Sequence, residues 1–423
     1  MENVKQCIII GCGLTGPVMG MLLVKYKVFE AKDIIIFERA REEQLSSSLG
    51  ASMCIASTGM SVLEEIGVAE QVANAGVAIS RYCYQKCDGQ QLGEYDIGYF
   101  KDRYGSMMYG VERHTLRQLL LESARSLGIK VLFNKSLERV EQENDSHVTA
   151  TFSDGTKYQS QILIGADGIH SNVRKSLFKQ QGGEQACLDY SGYSLIYGVA
   201  ERKNEMDSTF HSSIALGKYM ITYPCSPTHQ CWVINKSEKE EKEQWKMMHQ
   251  SDVERVFKEN QEFQNTYFKD TITNTKRLFK VGIYHHPQDL LSQPWSLGRV
   301  VLIGDSAHSI SPHLGQGLNL GLQDTKQLTI VLKQQQQQQV GVRDCSWTIE
   351  SLGKAFKLYE IKRSFPTKMI INKSNQQIKD KISCTTDDFE KECLQTIKYW
   401  SNQNIETIQN DFDRRFGYSQ QQK

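Results

Sequence analysis

The chain opens on a short apolar run, QCIII at 6–10, that passes directly into a glycine-rich turn. PVMGMLLVKY, 17–26, repeats apolar residues at helical spacing, and IIIFER, 34–39, is a second β-branched run. Strand, turn, helix and strand within about 33 residues predict a βαβ unit with a right-handed crossover. Residues 59–78 carry one short helical pattern (MSVLEEIG), while SRYCYQK, 80–86, and QQLGEYDIG, 90–98, alternate as strands. HTLRQLLLESARSLG, 114–128, is strongly helical. Four strand-like segments follow, KVLFN, SLERVEQ, HVTATF and KYQSQILIGADG, the last two joined by the hairpin signal SDGT. Residues 188–235 alternate as strands and 237–265 are charged and helical. RVVLIGD, 299–305, predicts another buried strand, and GLNLGLQDTKQLTIVLK opens a helix. The glutamine run Gln334–Gln339 continues or interrupts that helix as a solvent-exposed, low-complexity expansion, and the tail from about 347 reads as polar and helical.

Composition narrows the function class. Over 423 residues the formal charge is +1, which leaves no electrostatic footprint for a nucleic-acid backbone. No apolar run reaches the roughly 18 residues of a membrane-spanning helix, and the N-terminus lacks the layout of a secretory signal. Cysteines number 11 and are scattered, and neither Cys83/Cys87 nor Cys225/Cys231 has zinc-ligand spacing. The expectation is a cytoplasmic protein with reduced, mostly buried thiols and no metal.

Chemistry enters through three separated motifs. Gly11-Cys12-Gly13-Leu14-Thr15-Gly16 lies between a strand and a helix. Gly11 permits the tight turn, Gly13 lets a pyrophosphate approach backbone, and Gly16 lets helix and strand pack closely. Glu38 ends the second strand about 20 residues on, where a carboxylate accepts ribose hydroxyls. The second motif is Ile164-Gly165-Ala166-Asp167-Gly168-Ile169-His170-Ser171-Asn172-Val173-Arg174. The third is Leu302-Ile303-Gly304-Asp305-Ser306-Ala307-His308, followed by Pro312-His313-Leu314-Gly315-Gln316-Gly317-Leu318-Asn319.

In this order the three motifs resemble the fingerprint of the class A, single-component FAD-dependent monooxygenases, the para-hydroxybenzoate hydroxylase-like fold. The resemblance spans about residues 5–370 and includes Gly50-Ala51, Arg113 with Leu116, Pro294-Trp295 and Gly298-Arg299. Asp289 lacks an arginine that often follows it in relatives, and Ser306 stands where alanine is common. The resemblance implies FAD as cofactor and NAD(P)H as transient co-substrate. It gives cofactor contacts to Gly11, Gly13, Leu14, Thr15, Gly16, Glu38 and Arg39. Arg113 and Asp167 would lie near the pyrophosphate, and Asp305 would hold the ribityl chain. Pro312, with His313, would flank the reactive flavin edge, backbone N–H groups of Gly315, Gln316, Gly317 and Leu318 would meet its pyrimidine end, and Asn319 would be a further cofactor-binding residue. His211, Tyr219 and Tyr223, on predicted strands, are candidates for the substrate pocket.

The implied activity is hydroxylation or epoxidation of a small aromatic or unsaturated molecule with O2, through a flavin C4a-hydroperoxide. Two alternatives stand beside it. One is a flavin-dependent halogenase, against which the chain lacks a WxWxIP segment. The other is a flavoprotein oxidase or redox-signalling protein. The expected architecture is α/β. A Rossmann-type, discontinuous FAD-binding domain would take 1–79, 105–185 and 286–345. A mostly antiparallel substrate sheet would take 80–104 and 186–285, and a helical C-terminal segment 346–423.

Overall fold

The computed structural model describes residues 5–46, 52–142, 145–180, 188–202, 208–242, 248–249, 251–264, 266, 268–287, 293–338, 347–382 and 391. Gly50-Ala51, Asp289, Gln339 and most of the chain after 382 lie outside them. Five strands form a parallel core in the order Val300–Leu302, Lys157–Gly165, Lys5–Ile10, Ile34–Phe37 and Lys130–Leu132. Ile8, Ile9, Ile35, Ile36, Leu163 and Ile164 are fully buried there. Helices cover such a sheet on both faces, so its strands read as continuous apolar runs rather than alternations. Ser296–Leu297 adds an antiparallel edge, and the hairpin Val148–Phe152/Lys157–Gly165 carries Leu137–Glu141 at its flank.

The second sheet has seven strands, in the order Thr275–His285, Asp189–Glu201, His229–Ser237, Lys218–Pro224, Thr209–Ala215, Arg81–Lys86 and Gln91–Asp96. Only Thr209–Ala215 and Arg81–Lys86 pair in parallel. Strands from before residue 100 thus complete a sheet built mainly after residue 188. Its outer face packs Met220, Trp232 and Ile234 against Val253, Val256 and Phe263 of the short helical segments beyond it. Its inner face turns toward the parallel sheet.

Three features depart from the sequence pattern. Residues 59–78 are not one helix: Ser57–Glu65 and Ala69–Ala75 are separate, divided where Gly67 takes a positive φ. A small antiparallel sheet of Ser52–Ile55, Met108–Glu112 and Val77–Ile79 bridges the two large ones. It packs so closely that a Cβ on Gly110 would come within 2.0 Å of the Pro224 carbonyl oxygen. Thr275–His285 is a full strand whose Lys276, Arg277 and Lys280 mask its alternation.

The helix Gly317–Gln338 runs on through the glutamines. Gln336 donates to the Val28 carbonyl at 3.1 Å, so this stretch is anchored at one point rather than wholly solvated. The C-terminal helix Ile349–Ile382 buries Leu352, Phe356 and Tyr359 in the core of the parallel sheet, roughly 1.5–3 kcal/mol for each such side chain. It is therefore an integral part of the fold rather than a polar appendage.

Candidate active site

The three motifs meet at the ends of the parallel strands. Gly11 has φ +109°, and a Cβ there would come within 2.3 Å of the Ala166 carbonyl oxygen. This position is closed to other residues by conformation and by contact. A Cβ on Gly16 would stand 1.9 Å from the Gly11 carbonyl oxygen. The methyl of Thr15 fills the space beside Gly304 and Gly321, joining the first motif to the third. Ser306 Oγ accepts from the Gly168 N–H at 2.9 Å and donates to Asp167 Oδ1 at 3.1 Å. Arg174 donates to the carbonyls of Ser306 and Ala307. Ser306 is thus a tie between the second and third motifs. His286 adds another: its Nδ1 accepts from the Ser309 N–H, and its Nε2 lies 3.3 Å from the Ile169 carbonyl.

Several features suit a dinucleotide. Space beside Gly13 is open, with nothing within 4 Å of where a Cβ would lie. Glu38 accepts from the Cys12 and Ala40 N–H groups at 2.8 and 2.9 Å, leaving roughly half of its acceptor capacity for a ligand. Leu14 is buried at the start of helix Thr15–Lys25, whose N-terminus faces the turn. Arg39 is exposed, and its charge helps hold the His170 imidazole below its ordinary range, after burial and together with Lys175. Arg113 opens the helix Arg113–Ser126 and Arg117 lies one turn along it. Burial first, and then Arg113, lower the Arg117 guanidinium, while Glu38 opposes them. Two cations on one helix face beside the glycine turn match a diphosphate. Sequence reasoning missed Arg117, although its i,i+4 relation to Arg113 was visible.

Two motif side chains have internal duties. Asp167 accepts from Ser171 Oγ, Ser306 Oγ and the Asn172 and Val173 N–H groups, so it caps helix Asn172–Gln180. Asn319 accepts from the Ala56 N–H and donates to the carbonyls of Cys54 and Gly315. It holds the small sheet to the third motif.

Asp305 begins the short helix Asp305–His308, entered through Gly304 at φ +58°. Its carboxylate opens onto a cavity, and the protein packed around it raises its pKa against the opposing fields of His308 and Arg113. Beneath it His308 and Arg363 both bind the fully buried Asp324, at 2.5 and 2.7 Å. The charges of His308 and Arg363 lower the Asp324 carboxyl although burial works against them.

The cavity measures about 480 Å³, within the range of small-ligand sites. One wall is Arg113, Asp305 and Pro312–Leu318, with Pro312, Gly315 and Gly317 presenting little bulk. Gln316 lies there too, and its buried Oε1 has no hydrogen-bond partner among the described residues. The opposite wall is the inner face of the seven-stranded sheet, notably Tyr84, Tyr197, Phe210, Ser212, Tyr219 and Tyr223. Ser212 is 2% exposed, and its Oγ also lacks a partner among the described residues. An unsatisfied buried hydroxyl facing a cavity is a place for a ligand's polar group. These glycines and orphaned polar atoms fit a flat ring system on the first wall and a second molecule on the other.

Tyr219 and Tyr223 line the cavity. His211 does not: it shares a strand with Phe210 and Ser212, and alternation turns it to the outer face. His313 stands at the cavity edge, with Tyr219 OH at 2.7 Å and Asn235 Nδ2 at 2.9 Å from its Nδ1. With Asn235 donating to Nδ1, the neutral ring carries its proton on Nε2. Burial pushes the Tyr219 phenol well above its usual range.

Comparison with known proteins gives a consistent result. A family model described as FAD binding domain matches residues 4–340. The 6-hydroxynicotinate 3-monooxygenase of Bordetella bronchiseptica is 25% identical over 382 residues, covering 86% of this chain and 89% of that protein. Zeaxanthin epoxidase of Nicotiana plumbaginifolia is 28% identical over 354 residues, 78% of this chain but 48% of that protein, so the chain spans about half its length. The structure of Klebsiella pneumoniae HpxO complexed with FAD and uric acid superposes with a TM-score of 0.79 at 19% identity, covering 100% of this chain and 99% of that one. A glycine cradle, paired cations and an open flat-walled cavity are what FAD requires, and the chain belongs to the FAD binding domain family.

Proposed function

We propose that this FAD-dependent monooxygenase uses NAD(P)H and O2 to hydroxylate or epoxidise a small, largely planar aromatic or unsaturated molecule. The observation that carries the reading is the cavity with two unlike walls, one of glycine-rich backbone and one of aromatic side chains. Bound FAD, reduced by NAD(P)H, supplies the oxygen-transfer chemistry. Glu38 holds the adenosine ribose, Arg113 and Arg117 face the diphosphate, and Asp305 meets the ribityl chain. The N-terminus of helix Gly317–Gln338 offers unpaired N–H groups and partial positive charge, which favour negative charge at the ring's pyrimidine end.

The aromatic wall orients the substrate and keeps water out. Ser212 Oγ hydrogen-bonds its polar substituent, and His313, steadied by Tyr219 and Asn235, carries a proton at the cavity edge. The division into an FAD domain of 1–79, 105–185 and 286–345, a substrate sheet of 80–104 and 186–285 and a C-terminal segment of 346–423 follows the same logic. A cytoplasmic location belongs to the same reading. A halogenase finds no support in the relatives named above, which are by name a monooxygenase and an epoxidase.

The test is a panel of phenols, indoles and polyenes offered to the purified yellow protein. At least one is expected to accelerate NAD(P)H oxidation and to yield a product one oxygen atom heavier. Oxidation that releases all its electrons as hydrogen peroxide, whatever molecule is offered, would overturn the reading in favour of an oxidase.

A further inference from the structure

We infer that the C-terminal helix Ile349–Ile382 carries a lipid-binding face, an apolar ridge framed by lysines that seats the protein on an anionic bilayer surface. Among the described residues, five of the seven exposed large hydrophobic side chains lie on this one helix. Four of them form a ridge: Leu358 is 38% exposed, Ile361 60%, Phe365 70% and Met369 48%. At 3.6 residues per turn they fall within an arc of about 80° and extend about 16 Å along the axis. Scattered surface apolar residues need no explanation, but a continuous ridge does.

Charge on the helix is sorted as sharply as hydrophobicity. Lys357 and Lys368 flank the ridge on one side and Lys362 on the other, all exposed, while Lys354 at its N-terminal end is paired with the exposed Glu350 at 2.7 Å. From 353 to 376 the one acidic residue is Glu360, and it faces inward to the Trp295 N–H and Ser296 Oγ at 2.9 and 2.7 Å. Arg363 also points inward, to Asp324. The outward side is therefore apolar and cationic, on a chain whose total formal charge is only +1.

This pattern fits a helix lying in the interface of a bilayer, with apolar side chains inserted and lysine stems reaching the head groups. A second copy of the chain fits it poorly, because two such ridges in contact would bring their lysine rows together. No described helix is long and apolar enough to cross a membrane, so the attachment is peripheral. The face is also tied to the cavity. Ser374 Oγ donates to the Ser311 carbonyl at 2.9 Å, and Ile370 and Ile371 pack on Ile310 and Leu320, beside the Pro312–Leu314 wall. The inference is independent of the substrate reading.

The experiment is co-sedimentation of the full-length, flavin-loaded protein with vesicles of phosphatidylcholine plus phosphatidylserine, and with phosphatidylcholine alone. Binding is expected to the mixed vesicles, to weaken with added salt, and to be slight with phosphatidylcholine alone. The double variant Ile361→Ser/Phe365→Ser should lose roughly tenfold in vesicle affinity, and Lys357→Glu/Lys368→Glu at least as much, with flavin content and melting temperature unchanged. Failure of the wild-type protein to bind the mixed vesicles would overturn the inference. So would undiminished binding by both variants. A wild-type dimer that Ile361→Ser/Phe365→Ser converts to monomer would assign the ridge to self-association instead.

Discussion

On the parallel side of the molecule the candidate site is built on close-packed backbone, with a few charged side chains (Glu38, Arg113, Asp305) beside it. Gly11 and Gly16 approach Ala166 and one another so closely that no side chain fits, Gly13 leaves open space beside the turn, and the motif carboxylates of Glu38 and Asp167 are fixed by main-chain N–H groups. On the antiparallel side the cavity is lined by side chains drawn from alternate positions of several strands, with Ser212 Oγ left unsatisfied among the described residues. The first arrangement suits a cofactor that never changes. The second suits a substrate that can differ between relatives sharing one scaffold, because single side chains can be exchanged without disturbing the strands.

The largest expected effect lies on the backbone side. Gly16→Val places atoms where the Gly11 carbonyl stands, and we expect a colourless protein destabilised by about 3 kcal/mol or more, read by flavin absorbance and urea unfolding. Retention of FAD by that variant would break the comparison. Arg363→Met comes next. It leaves the fully buried Asp324 with only His308 as ionic partner, beside the Gly304 N–H, and should cost about 3–5 kcal/mol in urea unfolding, with flavin binding weakened through the displaced Asp305 turn.

A pH effect of intermediate size is expected at His286. Burial, aided by Arg174, pushes its imidazole down to about 3, against about 6.5 in an unfolded chain. The unfolded chain takes up the proton first as pH falls. The stabilisation is therefore fully present above about pH 6.5 and is lost progressively toward pH 3, on the order of a few kcal/mol. His286→Asn should flatten that slope of urea stability against pH, and an unchanged slope would contradict the assignment. The smallest effect separates neighbours on one strand. Ser212→Ala should raise KM roughly fivefold with FAD affinity unchanged, the value of one neutral hydrogen bond, whereas His211→Ala should leave KM alone. Equal effects on KM would erase the distinction between the two faces of the sheet.

What could be read from sequence follows the same division. Gly11, Gly13, Gly16, Asp305 and Gly304 were legible because backbone constraints are local and recur at fixed spacing. The parallel strands announced themselves as unbroken apolar runs. Pocket residues were legible only as strand positions, Tyr219 and Tyr223 but not His211 proving to face the cavity, because which face of a strand turns inward depends on register against distant strands. Tyr219 and Tyr223 fall on the inner face and His211 on the outer, a parity set by pairing with Arg81–Lys86 and His229–Ser237. Asn235, which steadies His313, and Arg363, which neutralises Asp324, act across long separations that no local pattern encodes. Asp167 and Asn319 were found by motif, but their side chains serve the fold.

The most direct measurement is the visible absorption band of the bound flavin while an aromatic ligand is titrated in. If the ring lies on the Pro312–Leu318 wall and the ligand on the tyrosine wall, the two must touch. Every molecule that stimulates NAD(P)H oxidation should then shift that band saturably, over the concentration range in which it stimulates. A stimulating ligand that leaves the flavin band unchanged would contradict the account.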